Sequence, residues 1–300
     1  MASCRVGRLK LEAILSDDPQ LRDEALAACV AAPEHERSAF AAKLAAVARE
    51  ACAALAETDE TGRDTALHES RFTRACLGLS RLRVEGARNA LLRIADEGTP
   101  AVKSALARAL RDARTAEGRA VLMHLLSDDD ARGDAIVAIG ATPWPEVLPA
   151  LIEVAEADDH AACLAAAPIA RCGATGGPKE RSAAADFLAE LLDDDVTFDA
   201  AVDALLRLGS GFPGIGPRAK RLTKEPGKRK IAGLCLVAAF GDEGNASFLE
   251  LALSGTKTDE DAARAFLEPL MTETIDARIR AAAERTWRAL DLSHVSAPAR

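Results

Sequence analysis

Four glycines divide the second half of the chain at nearly regular intervals. They are Gly140, Gly173, Gly209 and Gly241, and successive members lie 33, 36 and 32 residues apart. Each follows a run of alanines and aliphatic residues and precedes polar, glycine or proline residues, as in AIVAIGAT and PIARCGAT. A period of this length is typical of stacked helical repeats, in which a helix pair buries its apolar face against the next pair. The spacing predicts a stack of helix pairs with a glycine at the end of each unit's apolar helix.

The composition agrees with helices rather than strands. Of the 300 residues, 49% are hydrophobic, yet only 3% are aromatic and none is tyrosine. Alanine dominates the apolar residues; it is the best helix former, and its small side chain lets helices approach closely. No stretch alternates β-branched or aromatic residues with polar ones between turn residues, so we predict no strands. The expected fold class is all-α.

Short acidic turns divide each repeat into two helices. Aspartate at a helix N-terminus satisfies unpaired backbone N–H groups and stabilises the helix by roughly 0.5–2 kcal/mol. Metal binding at the Asp triplets is not expected, because they lack the spacing of a calcium loop. We predict about eight helix pairs and a final helix near 272–291. The acidic turns lie at 16–19, 58–62, 96–100, 127–130, 156–159 and 193–195, and turns at 224–227 and 254–259 continue the series.

The repeat strings resemble those of a known family. Residues 85–110 (EGARNALLRIADEGTPAVKSALARAL) and 145–175 (PEVLPALIEVAEADDHAACLAAAPIARCGAT) are similar to HEAT repeats, in particular the short bacterial kind also seen in phycobilin lyases. In SDDPQLRDEALAACV, Pro19, Leu21, Arg22, Ala25 and Leu26 stand where the family has its turn, aliphatic, arginine and Ala-Leu positions. The resemblance implies a right-handed superhelix, an α-solenoid, whose second helices line a concave surface. Members are mostly scaffolds and adaptors for other proteins; a few are enzymes or bind DNA.

The resemblance covers nearly the whole chain and is strongest over 85–210. We therefore expect a single HEAT-like solenoid over 1–292, with weaker repeats at 1–84, the clearest at 85–210, and terminal repeats with a cap at 211–292. Residues 293–300 are expected to form a flexible tail.

Bulk properties bear on location and partners. A net charge of -9 disfavours a general nucleic-acid binder, because neutralising phosphates requires a basic face. The first residues lack the apolar core of a signal peptide, and no uncharged run of about 18 residues could cross a bilayer. Seven scattered cysteines fit reduced thiols better than a disulfide framework. These features predict a cytoplasmic protein without a membrane segment.

One basic segment interrupts the acidic turns. Residues 218–230, RAKRLTKEPGKRK, contain one acid, Glu225, and the sign of the charge reverses there. Two interpretations remain open: a solvated basic turn that pairs with acids of neighbouring repeats, or a binding site for an anion or an acidic partner. Glycine here would let a phosphate approach N–H groups at a helix start. The candidate binding residues are Arg218, Lys220, Arg221, Lys224, Lys228, Arg229 and Lys230.

Other motifs predict no cofactor, no metal and no catalytic residue. GSGFPG at 209–214 matches a dinucleotide pattern, but no strand precedes it, so we expect a loop. His160 and Cys163 are one helical turn apart, but Cys172 lies roughly 13 Å further along a continuous helix, too far for shared zinc binding. His124 and Ser127 lack a nucleophile elbow. We expect Trp144 to pack between repeats.

The function that the sequence favours is a non-catalytic protein-interaction scaffold that binds a partner protein on its concave surface or turn ridge. Two alternatives stay open: binding of nucleic acid or a phosphoanion through 218–230, and a HEAT-like lyase or DNA glycosylase-type enzyme. Contributors expected on the second helices are Lys103, Ala107, Arg111, Asp199 and Asp203.

Overall fold

A computed structural model describes residues 11–57, 62–208 and 215–222, with single positions between 224 and 288. Every regular element in these ranges is helical, which confirms the all-α prediction. Helical residues 11–14 come first. The helices that follow are α1 (Pro19–Val30), α2 (Glu34–Glu57), α3 (Gly62–Arg81), α4 (Glu85–Glu97), α5 (Pro100–Ala109), α6 (Ala116–Leu126), α7 (Arg132–Ala141), α8 (Leu148–Ala157), α9 (Asp159–Thr175), α10 (Pro178–Glu190), α11 (Phe198–Leu208) and α12 (Ile215–Leu222), with 3-10 turns at Pro145–Val147 and Leu191–Asp193.

The chain forms two compact units, residues 1–142 and 143–300. The single array expected over 1–292 stays a prediction. The 254–259 turn and the 293–300 tail lie outside the described residues, and the final helix near 272–291 is described at single positions only.

In the first unit the helices alternate between two layers. The first helices α2, α4 and α6 contact one another in sequence, and the second helices α3, α5 and α7 do the same. Each first helix also packs against the second helix that follows it. In the second unit α8 and α10 are first helices, α9 and α11 are second helices, and α12 packs on α10. Each unit is therefore a stack of helix pairs, as the repeat spacing predicts.

The described acidic turns lie between first and second helices, where the sequence predicts them. The Asp18 carboxylate accepts a hydrogen bond from the Gln20 backbone N–H at 2.9 Å at the start of α1. Asp158 accepts from the Ala161 N–H at 3.0 Å at the start of α9. These contacts satisfy N–H groups that have no partner within the helix. The aspartates thus act as N-caps.

Two threonine side chains bond to carbonyls at the ends of second helices in the first unit. The Thr115 hydroxyl, at the start of the first helix α6, donates to the Ser80 carbonyl at the end of α3 at 2.7 Å. The Thr142 hydroxyl, at the end of α7, donates to the Arg111 carbonyl just beyond α5 at 2.9 Å. Carbonyls at helix ends have no partner within the helix, so these bonds satisfy them while tying separate repeats together.

The core is built mainly from alanine and leucine. Val102, Leu106 and Ala109 on α5, with Leu110 just after it, form a buried face. Helix α9 has the densest set of small buried side chains, which are Ala161, Ala162, Ala165, Ala166 and Ala170. Such side chains let neighbouring helices approach closely, so that each helix buries apolar surface on both layers.

The period-marking glycines that the structure describes lie at the C-terminal ends of their helices, as the spacing predicts. Gly140 is the second-last residue of α7, and Gly173 lies two residues before the end of α9. A Cβ added at Gly173 would lie 2.5 Å from the Cβ of Ala184 on α10. Glycine is therefore needed there for close helix packing and not as a C-terminal cap. Gly209 and Gly241 lie outside the described residues.

We predict that Gly173→Ala destabilises the protein by about 1–3 kcal/mol, because the new methyl group overlaps Ala184. Gly86→Ala on α4 is the matched control, since nothing lies within 4 Å of an added Cβ there. The control should be neutral or stabilising by up to about 1 kcal/mol, as alanine favours a helix. Urea unfolding measures both. Equal stability of the two variants would contradict the close contact.

Candidate interaction surfaces

The basic segment 218–230 is only partly described. Arg218 is half-buried, whereas Arg221 and Lys224 are exposed. The backbone of Lys220 lies in α12. Lys228 and Lys230 lie outside the described residues.

Two arginines of this segment contact the acidic turn 193–195. Arg221 forms an ion pair with Asp193. Arg229 pairs with Asp195 at 2.6 Å and with Glu225 at 3.4 Å. The Arg229 guanidinium donates this hydrogen bond to the Asp195 carboxylate, which favours the charged form and raises the pKa of Arg229. These contacts match the interpretation in which the basic turn pairs with acids of a neighbouring repeat; the anion site stays a prediction.

Arg229 also packs against the start of α11. Its guanidinium lies 4.6 Å from the centre of the Phe198 ring, and it donates to the Leu192 carbonyl at 3.4 Å. Phe198 is 1% exposed, so the arginine covers one of the largest side chains of this unit's core. A cation over an aromatic ring contributes about 0.5–2 kcal/mol. Arg229 therefore has a structural role whatever else the segment binds.

Arg229→Ala should lower the free energy of unfolding by about 1–3 kcal/mol, through loss of the ring contact and the charged hydrogen bonds. Lys224→Ala removes a nearby exposed cation and should change it by less than about 0.5 kcal/mol. Urea unfolding at matched salt separates the two variants. An Arg229→Ala protein as stable as the control would show that these contacts are unimportant.

Several side chains that the sequence predicts for a binding surface on the second helices are buried or already paired. Ala107 is buried, so its predicted place on the binding surface is wrong: it faces the core of the helix stack. Lys103 pairs with Asp128 at 2.5 Å, and Asp203 pairs with Arg207 at 2.8 Å. Arg111 and Asp199 are exposed.

The ion pair between Lys103 and Asp128 makes the stability of the fold depend on pH in acid. The hydrogen bond from Lys103 holds the pKa of Asp128 below its ordinary value of 3.8. A carboxylate whose pKa is lower in the folded state stabilises the fold at pH values above its unfolded-state pKa. This stabilisation is lost as the pH falls through the folded-state pKa. Asp128 also accepts from the Ala131 N–H at 3.2 Å, a capping role that asparagine can keep.

Asp128→Asn should therefore be less stable than the wild type at neutral pH, and the difference should shrink between about pH 5 and pH 2. Urea unfolding across this range measures it. A stability difference that stays constant to the acid end would contradict a charge-dependent contact.

A groove of about 710 Å³ lies between the first helices α2 and α4. Small side chains form much of its wall, and two arginines, Arg49 and Arg93, stand at its sides. Arg93 pairs with Glu97 at 3.1 Å. The small residues are Ala45, Ala53, Gly86 and Ala90.

A groove of about 610 Å³ lies between the first helices α8 and α10 of the second unit. Its lining includes Pro149, Ile152 and Ala183 together with four glutamates and one lysine. The sequence did not predict this groove, and Ile152 on α8 is only half-buried. The available signal was an α8 with more apolar residues than one helix face can bury.

Two of the thiols that the sequence predicts to be reduced, Cys76 and Cys172, are buried. Burial raises the pKa of Cys172 to about 11, although a hydrogen bond from the Trp144 backbone opposes the rise. The Cys163 thiol donates to the Val196 carbonyl at 3.5 Å. Within the described ranges, no three histidine, cysteine or acidic side chains converge as metal ligands. Trp144 is 4% exposed, consistent with packing between repeats.

Comparisons with known proteins add little. No family model matches the chain, and no curated protein matches it. Among solved structures, a designed armadillo repeat protein is similar at 19% identity, covering 94% of this chain and 98% of its own, with a TM-score of 0.28. That score is too low to support an argument, and the HEAT resemblance stays a prediction. No helix in the described ranges is both long and apolar enough to cross a bilayer. The helix-pair repeat therefore rests on the structure itself.

Proposed function

We propose that this chain is a non-catalytic scaffold that binds segments of other proteins in the grooves between consecutive first helices. The observation that carries the proposal is the pair of open grooves of about 710 and 610 Å³, one in each unit. Both volumes lie within the range of ordinary binding sites. Stacked repeats hold such surfaces rigidly, which lowers the entropic cost of binding.

Charged side chains on the second helices are already paired with one another, which makes the grooves between first helices the better binding surface. In the first unit Arg108 on α5 lies 3.0 Å from Glu69 on α3 and 4.0 Å from Asp134 on α7. Charges already paired within the protein must lose those partners before they bind another protein. The groove on α8 and α10 instead has rim glutamates without an ion pair among the described residues. A charged group of a partner can therefore pair with these glutamates without first displacing an ion pair.

The thiol in the first groove supports a binding role over a catalytic one. Burial raises the pKa of Cys52, which lines the groove between α2 and α4. A raised pKa lowers the fraction of thiolate, the form that attacks substrates. Cys52 is therefore a poor nucleophile at neutral pH.

Affinity purification from the native host tests the proposal. Ala53→Trp and Ala183→Trp each place a large ring in one groove, and both positions are exposed. Ala28→Trp, on the exposed face of α1, is the matched control. We expect specific partners to be lost from one or both groove variants and kept by the control. The same captured proteins with all three variants would contradict groove binding.

A further inference from the structure

The groove between α8 and α10 has an apolar floor. Pro149 and Ala183 are exposed, Ile152 is half-buried, and Leu148 lies beneath them at 2% exposure. Apolar surface in a concave site is covered favourably by apolar side chains of a partner, at about 25 cal/mol for each Å² removed from water.

Carboxylates form one rim of this groove. Glu146, Glu153 and Glu156 belong to α8 and the 3-10 turn before it, and all three are exposed. None has an ion pair or a hydrogen bond with any residue that the structure describes. At 1.5 Å per residue they extend over roughly 15 Å, or about three helical turns. The rim is thus a row of negative charge beside an apolar floor.

The opposite wall does not neutralise that row. Lys179 is its one cation, while the Glu180 carboxylate accepts a hydrogen bond from the Gly177 N–H at 2.9 Å. Four glutamates and a single lysine therefore line the groove. This excess disfavours nucleic acid and anionic lipid, and it favours a cationic partner.

One end of the groove is held by close backbone packing. A Cβ added at Gly176 would lie 2.6 Å from the Cβ of Glu180 and 3.1 Å from that of Pro145. Glycine therefore allows the turn before α10 to approach the turn before α8. The groove is formed before any partner arrives, so binding does not need to order it.

We propose that this groove binds a basic amphipathic helix from another protein, with aliphatic residues on the floor and lysine or arginine against the glutamate rim. The proposal rests on the proposed function and specifies the partner's chemistry. Helix-in-groove recognition needs apolar anchors at i, i+3 or i+4 and i+7, which extend over about two turns and fit the length of the rim. The cations flanking those anchors supply the specificity.

Fluorescence anisotropy with a labelled synthetic helix tests the proposal. The probe is a peptide of roughly 14 residues, about four turns, with leucines on one face and lysines on the other; its partner peptide has glutamate for lysine. We expect the lysine peptide to bind and the glutamate peptide not to bind. Ala183→Trp should abolish binding by filling the floor, and a circular dichroism spectrum checks that it folds.

Charge variants separate the rim from the overall charge of the protein. The triple variant Glu146→Gln, Glu153→Gln, Glu156→Gln should weaken binding by about tenfold or more at low salt, with a smaller loss at high salt. The control is Glu34→Gln, Glu50→Gln, Asp112→Asn, which removes the same charge from exposed positions outside the groove. It should change binding by less than about twofold.

Equal weakening by the two triple variants would overturn the proposal, as would binding of both peptides. Sedimentation equilibrium of the protein alone tests a second copy as the occupant: self-association lost with Ala183→Trp would also overturn it. If the lysine peptide fails to bind while Ala183→Trp still loses host partners, the basic-helix chemistry is wrong and the scaffold function stands. If neither Ala183→Trp nor Ala53→Trp loses host partners, the scaffold function fails as well.

Discussion

Close packing of small side chains is the constraint on which the rest of this structure depends. With 3% aromatic residues, the chain has few large side chains to fill space between helices. Its helices instead approach until glycine and alanine meet: added Cβ atoms at Gly173 and Gly118 would each lie 2.5 Å from an alanine Cβ. Small side chains also shape the surface. Where Ala53, Gly86 and Ala90 face outward between first helices, they leave the space that forms a groove.

Polar contacts hold the repeats in register once the helices have packed. Aspartates cap helix starts, threonine hydroxyls bond to carbonyls at or just beyond the ends of preceding second helices, and arginines pair with acids of neighbouring repeats. The basic segment belongs to this scheme, because Arg221 and Arg229 reach the acidic turn 193–195. The charge reversal seen in the sequence thus has a partner within the fold. Glu146, Glu153 and Glu156 pair with none of the residues that the structure describes, so their charges are available to another molecule.

Features set by local sequence could be predicted, and features set by distant contacts could not. The described acidic turns fall where expected, because caps and helix periodicity act within a few residues. The burial of Ala107 depends on a neighbouring helix and was misjudged, and the close contact of Gly173 with Ala184 was not predicted for the same reason. The groove on α8 and α10 was missed for the same reason: Pro149 and Ala183 are about thirty residues apart, and only packing brings their helices together.

Nuclear Overhauser contacts in protein with ¹³C-labelled alanine methyl groups test the helix packing most directly. The account predicts a strong cross-peak between the Ala184 methyl protons and the α-protons of Gly173, since an added Cβ at Gly173 would lie only 2.5 Å from that methyl carbon. Amide cross-peaks between sequential residues should also identify α9 and α10 as continuous helices through this contact. A missing cross-peak in a folded protein would contradict the stacked pairs.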